Sequence, residues 1–134
     1  MIGVWQINTP EVNSGYFDTY QFFTDGSFKF NTNQNDGLRR VLGIGGKYKL
    51  NKGVLTFIVE YTKEIVGGAI ARSEITTGSD SWAIEGGQIS KKKLLKPIKV
   101  GASIEIGKKS NGTDCIIIDK RNYFKVDNDP NNFE

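Results

Sequence analysis

The chain has 134 residues, 37% of them apolar, with 16 glycines, one cysteine, no histidine and a formal net charge of +3. That is one domain's length, enough to bury a core without disulfides or metals, and no apolar run approaches the ~18 residues of a membrane span. Without histidine there is no imidazole base, no Ser-His-Asp or Cys-His catalysis and no proximal haem ligand, and the lone Cys115 leaves too few soft ligands for a transition metal.

Gly3-Val4-Trp5 reads as the start of a first strand, followed by a polar connection over 9–15. Next comes Tyr20-x-Phe22-x-x-Asp25-Gly26-x-Phe28-x-Phe30. A two-residue loop would pair Phe23 with Phe28. A three-residue loop, Thr24-Asp25-Gly26, pairs Phe22 with Phe28 and Tyr20 with Phe30. The second register gathers four aromatics on one face and sends Gln21, Phe23, Lys29 and Asn31 to the other. It also sets Gly26 where a left-handed residue is wanted, so it is preferred. The Gly-rich segment 33–46 follows. Leu38–Leu42 is compatible with one helical turn, and Gly43, Gly45 and Gly46 suggest a cover for a barrel mouth.

A second hairpin turns at Lys52-Gly53. Pairing Leu50 with Leu55 sets Tyr48, Leu50, Leu55, Phe57, Val59 and Tyr61 on one side. Gly67-Gly68 is a break. Residues 69–77 form a weaker strand in which Arg72 and Glu74 share a face, and Ser81–Glu85 another with Trp82 and Ile84 together. Seven lysines lie between Lys91 and Lys109 with Glu105 as the only acid. They read as a solvated strand edge that blocks edge pairing, or as a face for an anionic ligand, a membrane surface or nucleic acid. Ile98, Val100, Ala102, Ile104 and Ile106 alternate with polar or small residues. Asn111-Gly112 turns the chain into Cys115–Ile118, where Cys115 reads as a small buried hydrophobe. Tyr123–Val126 is the last strand before a polar tail, 127–134.

No stretch of ten residues holds a 3.6 period. Short antiparallel strands with one apolar face each must close or fold double, so the expected fold is all-β: an antiparallel up-and-down barrel of about 8–10 strands in a single domain, 1–134. Gly43-Ile44-Gly45-Gly46-Lys47 fails as a phosphate loop because Tyr48 follows the lysine and no helix begins. Asn111-Gly112-Thr113 is explained as a turn. Asp127, Asp129 and Asn131 lack the glycine and glutamate of a calcium loop, so no metal site is expected.

Gly3-x-Trp5, the Tyr-x-Phe-x-x-Asp-Gly-x-Phe hairpin, and Gly46-x-Tyr48 followed by Leu55-x-Phe57 come in an order and spacing that resemble the bacterial lipocalin-like (calycin-type) small barrels. The resemblance covers roughly residues 3–62. It implies a structural plug in which a late arginine, Arg121, packs over Trp5 as a cation–π pair. It also implies export to the periplasm or cell envelope, often with a lipid anchor. Met1 abuts the first strand, so a leader would have been removed and membrane tethering lost with it, or the chain is cytoplasmic. The Thr-Asp-Tyr loop of the larger eukaryotic lipocalins is missing; Asp18-Thr19-Tyr20 holds the same residues in another order.

Alternation directs Tyr20, Phe22, Phe28, Phe30, Tyr48, Phe57 and Tyr61 inward, with Arg72 as a carboxylate partner if its face points in. Such a lining suits a small apolar or amphipathic ligand, without cofactor or catalysis. The alternative is a filled core acting as an envelope scaffold or interaction module. Asp18 is the one carboxylate placed near Tyr20, and its simpler reading is a barrel-rim residue. In sequence the aromatics lie in 16–61 and the lysines in 91–109, which argues against nucleic acid, whose stacking platforms interleave the two.

Overall fold

A computed structural model describes residues 1–11, 17–33, 38–73 and 81–133, with the side chains of 72, 73 and 81–83 left out. Ten strands run in chain order: β1 Gly3–Ile7, β2 Thr19–Phe22, β3 Ser27–Asn31, β4 Val41–Asn51, β5 Val54–Val66, β6 Ala69–Ser73, β7 Ser81–Glu85, β8 Gln88–Ser110, β9 Thr113–Ile118 and β10 Arg121–Asp127. Eight of them close an antiparallel ring in the order β1-β10-β9-β8-β5-β4-β3-β2, and β6 and β7 form a separate two-stranded sheet. The described residues contain no helix: β4 already begins at Val41, so Leu38–Leu42 makes no helical turn. Ring neighbours are consecutive in sequence except β5 and β8, between which the β6–β7 hairpin is inserted, and β1 and β10, whose pairing closes the ring.

Turn chemistry sets the registers. Gly26, at φ +84°, ends the three-residue loop, and Phe22 pairs with Phe28 and Tyr20 with Phe30, as expected. Asp25 Oδ1 accepts from Ser27 N at 2.9 Å, and Gly26 N donates to Phe23 O at 3.2 Å. Leu50 pairs with Leu55 across Lys52-Gly53. Asn111 and Gly112, both at positive φ, close the β8–β9 hairpin between Ser110 and Thr113.

The core fills the ring. Trp5, Phe22, Phe28, Leu55, Phe57, Val59, Ala102, Ile104, Ile116, Ile118 and Tyr123 are buried together. β1 is buried on both faces, since alternate residues Val4 and Gln6 face outward and are covered. Gln6 Nε2 donates to the carbonyls of Thr9 and Glu11 at 3.0 and 2.6 Å. Gln21 Nε2 donates to Pro130 O at 2.7 Å, which docks the C-terminal segment against β2. The tail read from sequence as a polar end is therefore, over 127–133, partly a cover.

Gly43, Gly45 and Gly46, expected to cover a mouth, lie instead in β4, paired with β3 and β5; residues 34–37 of that segment lie outside the described residues. A Cβ at Gly46 would sit 2.0 Å from Ile58 O, and one at Gly43 would sit 2.6 Å from Phe30 O. Backbone approach, not loop freedom, requires glycine there.

β5 and β8 outrun the ring. Opposite Glu60, β8 inserts Leu94-Leu95-Lys96-Pro97, and pairing resumes from Tyr61↔Lys93 to Val66↔Gln88. Proline, which has no N–H to give a ladder, is tolerated at such an irregularity. β9 pairs β8 only from Ile104 onward, with Asp119 N and Oδ1 closing on Ser103. The remaining edge of β8, from 88 to 102, has no strand partner among the described residues. Lysines along it agree with the edge-blocking reading. Beyond Val66 and Gln88, four glycines, Gly67, Gly68, Gly86 and Gly87, all lie at φ between +72° and +80° and join this ribbon to β6–β7. β6 is not a ring strand, so Arg72 lies outside the ring lining, and its side chain falls outside the described residues, as does Glu74.

Candidate functional site

Five of the aromatics expected inside do meet there. The Tyr20 ring lies 4.6 Å from Phe30, 5.3 Å from Phe22 and 5.4 Å from Phe57, while Phe28 lies 4.7 Å from Phe57. Tyr123, not singled out from sequence, joins them 5.1 Å from Tyr20. Offset and edge contacts of this kind add to area burial. Tyr48 reaches the edge of the set, 4.9 Å from Phe22, and its hydroxyl donates to Phe23 O at 3.2 Å. A pocket of about 130 Å³ lies against the interior, bounded by Tyr20, Phe28, Ile44, Phe57, Val59, Val100, Ala102 and Asp119. Among the described residues no buried side-chain N or O lacks a hydrogen bond. Burial pushes the Tyr20 phenol far above its ordinary value, with the Tyr123, Asp119 and Asp18 charges adding to the shift. Asp18 is a rim residue: its Oδ1 accepts from Asn33 N at 2.8 Å and Nδ2 at 3.1 Å.

Two expected positions are corrected. Tyr61 does not face the interior. Gly46 pairs with Val59 but Gly45 with Tyr61, so Glu60 is an extra residue on β5. A bulge of one residue turns everything beyond it to the opposite face. The cation over Trp5 is Lys125, with Nζ 5.3 Å from the ring. Trp5 and Lys125 are cross-strand partners, whereas Arg121 pairs with Ile118. Four residues along a strand separate the two by about 13 Å at ~3.3 Å per residue. Trp5 itself is buried, and its Nε1 donates to Met1 O at 2.7 Å.

The larger space is outside. A groove of about 480 Å³ runs over the outward face, lined among others by Gln21, Lys29, Asn31, Gly43, Tyr61, Lys63, Ile89, Lys91, Phe17 and Phe133. Register explains the set. Gln21↔Lys29↔Gly45↔Tyr61↔Lys93 and Asn31↔Gly43↔Lys63↔Lys91 are runs of directly opposed residues, which share one face. Gly45 provides the floor, since a Cβ there would lie 2.1 Å from Tyr61 Oη. The Tyr61 ring therefore lies over Gly45, and Lys91 Nζ lies 3.9 Å from its centroid. Burial, then the Glu60 charge, raises the Tyr61 phenol above its ordinary value, so it is a neutral donor at physiological pH. Folding thus removes the sequence separation of aromatics from lysines. Sequence reasoning had already put Gln21, Lys29 and Asn31 outside; the bulge that adds Tyr61 and Lys63 leaves no mark in the periodicity. Comparison of the chain with protein-family models, curated proteins and solved structures finds no match.

Proposed function

We propose that the protein is a non-enzymatic, lipocalin-like barrel with a filled core that works through its outer surface as a binding or interaction module. The observation that carries this reading is the contrast in free space: about 130 Å³ inside against about 480 Å³ outside. Small-molecule sites usually occupy roughly 300–1,000 Å³, a range the outer groove reaches and the inner pocket does not. The interior aromatics spend their faces on one another, and the described polar groups within are satisfied, so nothing there waits for a ligand.

A second reading keeps a small apolar or amphipathic ligand in the interior. Ile98 and Val100 favour it: each pairs with an inward residue, Val59 and Phe57, yet is 53% and 46% exposed. They form an apolar lip beside the small cavity. Export to the cell envelope belongs to the same proposal and rests on the family resemblance alone. Titration with Nile red, an uncharged apolar dye, separates the readings. The filled-core reading expects no saturable binding. Stoichiometric binding at micromolar affinity that Val100→Trp abolishes would establish the interior site instead.

A further inference from the structure

The outward groove combines features that select a ligand class. Among the described residues that line it, the cations are Lys29, Lys63 and Lys91, and none is a carboxylate. Among the described residues none of these three lysines is ion-paired; the ion pairs are Lys92–Glu64 at 3.9 Å and Lys109–Asp114 at 3.8 Å. Lys63 and Lys91 are direct cross-strand partners. Like charges set opposite one another oppose the pairing that holds them, and an anion between them would relieve that cost. The hydroxyl of Tyr61 makes no hydrogen bond to a described residue, and its neutral form can donate one. Apolar walls come from Phe17, Leu42, Ile89 and Phe133. Ile89 is 63% exposed and offers apolar surface. Glu64 pairs with Lys92 on the other side of the same ribbon and so does not neutralise the groove; Glu60, at the bulge, is the acid whose charge reaches Tyr61.

We infer that this groove binds a small amphipathic anion, one carboxylate or phosphate head on an apolar body, with the head between Lys63 and Lys91 and the body against Ile89, Phe17 and Phe133. The inference deepens the outer-surface reading by naming what that surface takes. The lysine pair supplies the attraction and Tyr61 the directed donor. Binding here is screened by salt, because the lysines are exposed.

Calorimetric titration of the intact chain with decanoate, decyl phosphate, decan-1-ol and decyltrimethylammonium tests it. Decanoate or decyl phosphate binds at one site, and whichever binds more tightly identifies the head. Decan-1-ol binds at least tenfold more weakly and the cation not at all. Lys63→Gln with Lys91→Gln weakens the anion at least tenfold, while Lys99→Gln, outside the groove, leaves it unchanged at the same melting temperature. Decan-1-ol binding as tightly as decanoate, or equal losses from Lys99→Gln and the groove pair, would overturn the inference. Absence of any anion binding sinks the groove alone and leaves the filled-core module standing. Anion binding lost in Val100→Trp but kept in the lysine variants sinks both.

Discussion

β5 and β8 pass through two environments, and the same two strands behave differently in each. Within the ring, Leu55, Phe57 and Val59 on β5 and Ala102 and Ile104 on β8 are buried. Past Glu60 the ribbon from Tyr61 to Val66 and from Gln88 to Lys93 has no buried residue. The backbone ladder is continuous across both halves apart from the irregularity at 94–97. Hydrogen bonding is thus common to the two, and burial is what differs. Net stability follows buried apolar area far more than ladder length, because a hydrogen bond exchanged with water contributes only ~0.5–1.5 kcal/mol. The ring half holds the fold, and the ribbon half presents surface.

Substitutions should separate the halves by size of effect. Phe22 is fully buried and touches Tyr20, Tyr48 and Phe57. Phe22→Ala should cost about 3–5 kcal/mol in urea denaturation, the usual loss for a core phenylalanine. A loss under ~1 kcal/mol would mean the ring is not the stabilising half. Gly46→Ala is next. Its Cβ would meet backbone at Ile58, which cannot swing aside, so about 1–3 kcal/mol should be lost.

Alkaline pH should act chiefly on the ring, where the more deeply buried phenols lie. Burial keeps the Tyr20 phenol neutral in the fold, and Tyr123 is raised by burial and the Asp18 charge. In the unfolded chain both ionise near pH 10. Their contribution is whole below that pH and is lost as pH rises toward the higher folded-state values. The denaturation midpoint should therefore stay level through neutral pH and fall above pH ~10, with Tyr20→Phe falling less steeply. Equal slopes for parent and variant would contradict the assignment.

The smallest effect is expected at the ribbon tip. Val66 and Gln88 are direct partners, so Asn-Gly in place of residues 67–87 can close them in a two-residue turn. Ring stability should change by less than about 1 kcal/mol, since no described residue of the removed stretch belongs to the core. A larger loss would show that β6 and β7 support the ring.

How far the sequence could be read follows the same division. The Tyr20–Phe30 and Tyr48–Val59 hairpins were legible because a period of two with one apolar face fixes register, and Asp25-Gly26 and Lys52-Gly53 mark the turns. The first half of β8, 88–97, was not. Its lysines are exposed on both faces, and of its two adjacent leucines Leu94 packs against the core while Leu95 is exposed, so it carries no amphipathic signal. Tyr61 was misplaced because one inserted residue at Glu60 reverses every later side chain without altering composition. Lys125 was passed over for Arg121 because the cross-strand partner of Trp5 depends on the β1–β10 register, which closes the ring between its two ends. The docking of the tail rests on a backbone carbonyl, Pro130 O, which no residue type advertises. The described lining of the outer groove draws on five strands, two connecting segments and the C-terminal segment, and the groove's lysines and glycines acquire meaning only when those strands are side by side.

The central claim, a filled ring whose working surface is outside, is tested most directly by amide and methyl chemical-shift mapping during a decanoate titration. The expected result is a set of shifts confined to Lys29, Asn31, Tyr61, Lys63, Ile89 and Lys91, with the resonances of Phe57, Val59, Val100 and Ala102 unmoved. Largest shifts at Val59, Val100 and Ala102, with the outward residues silent, would place the ligand inside the ring and contradict the claim.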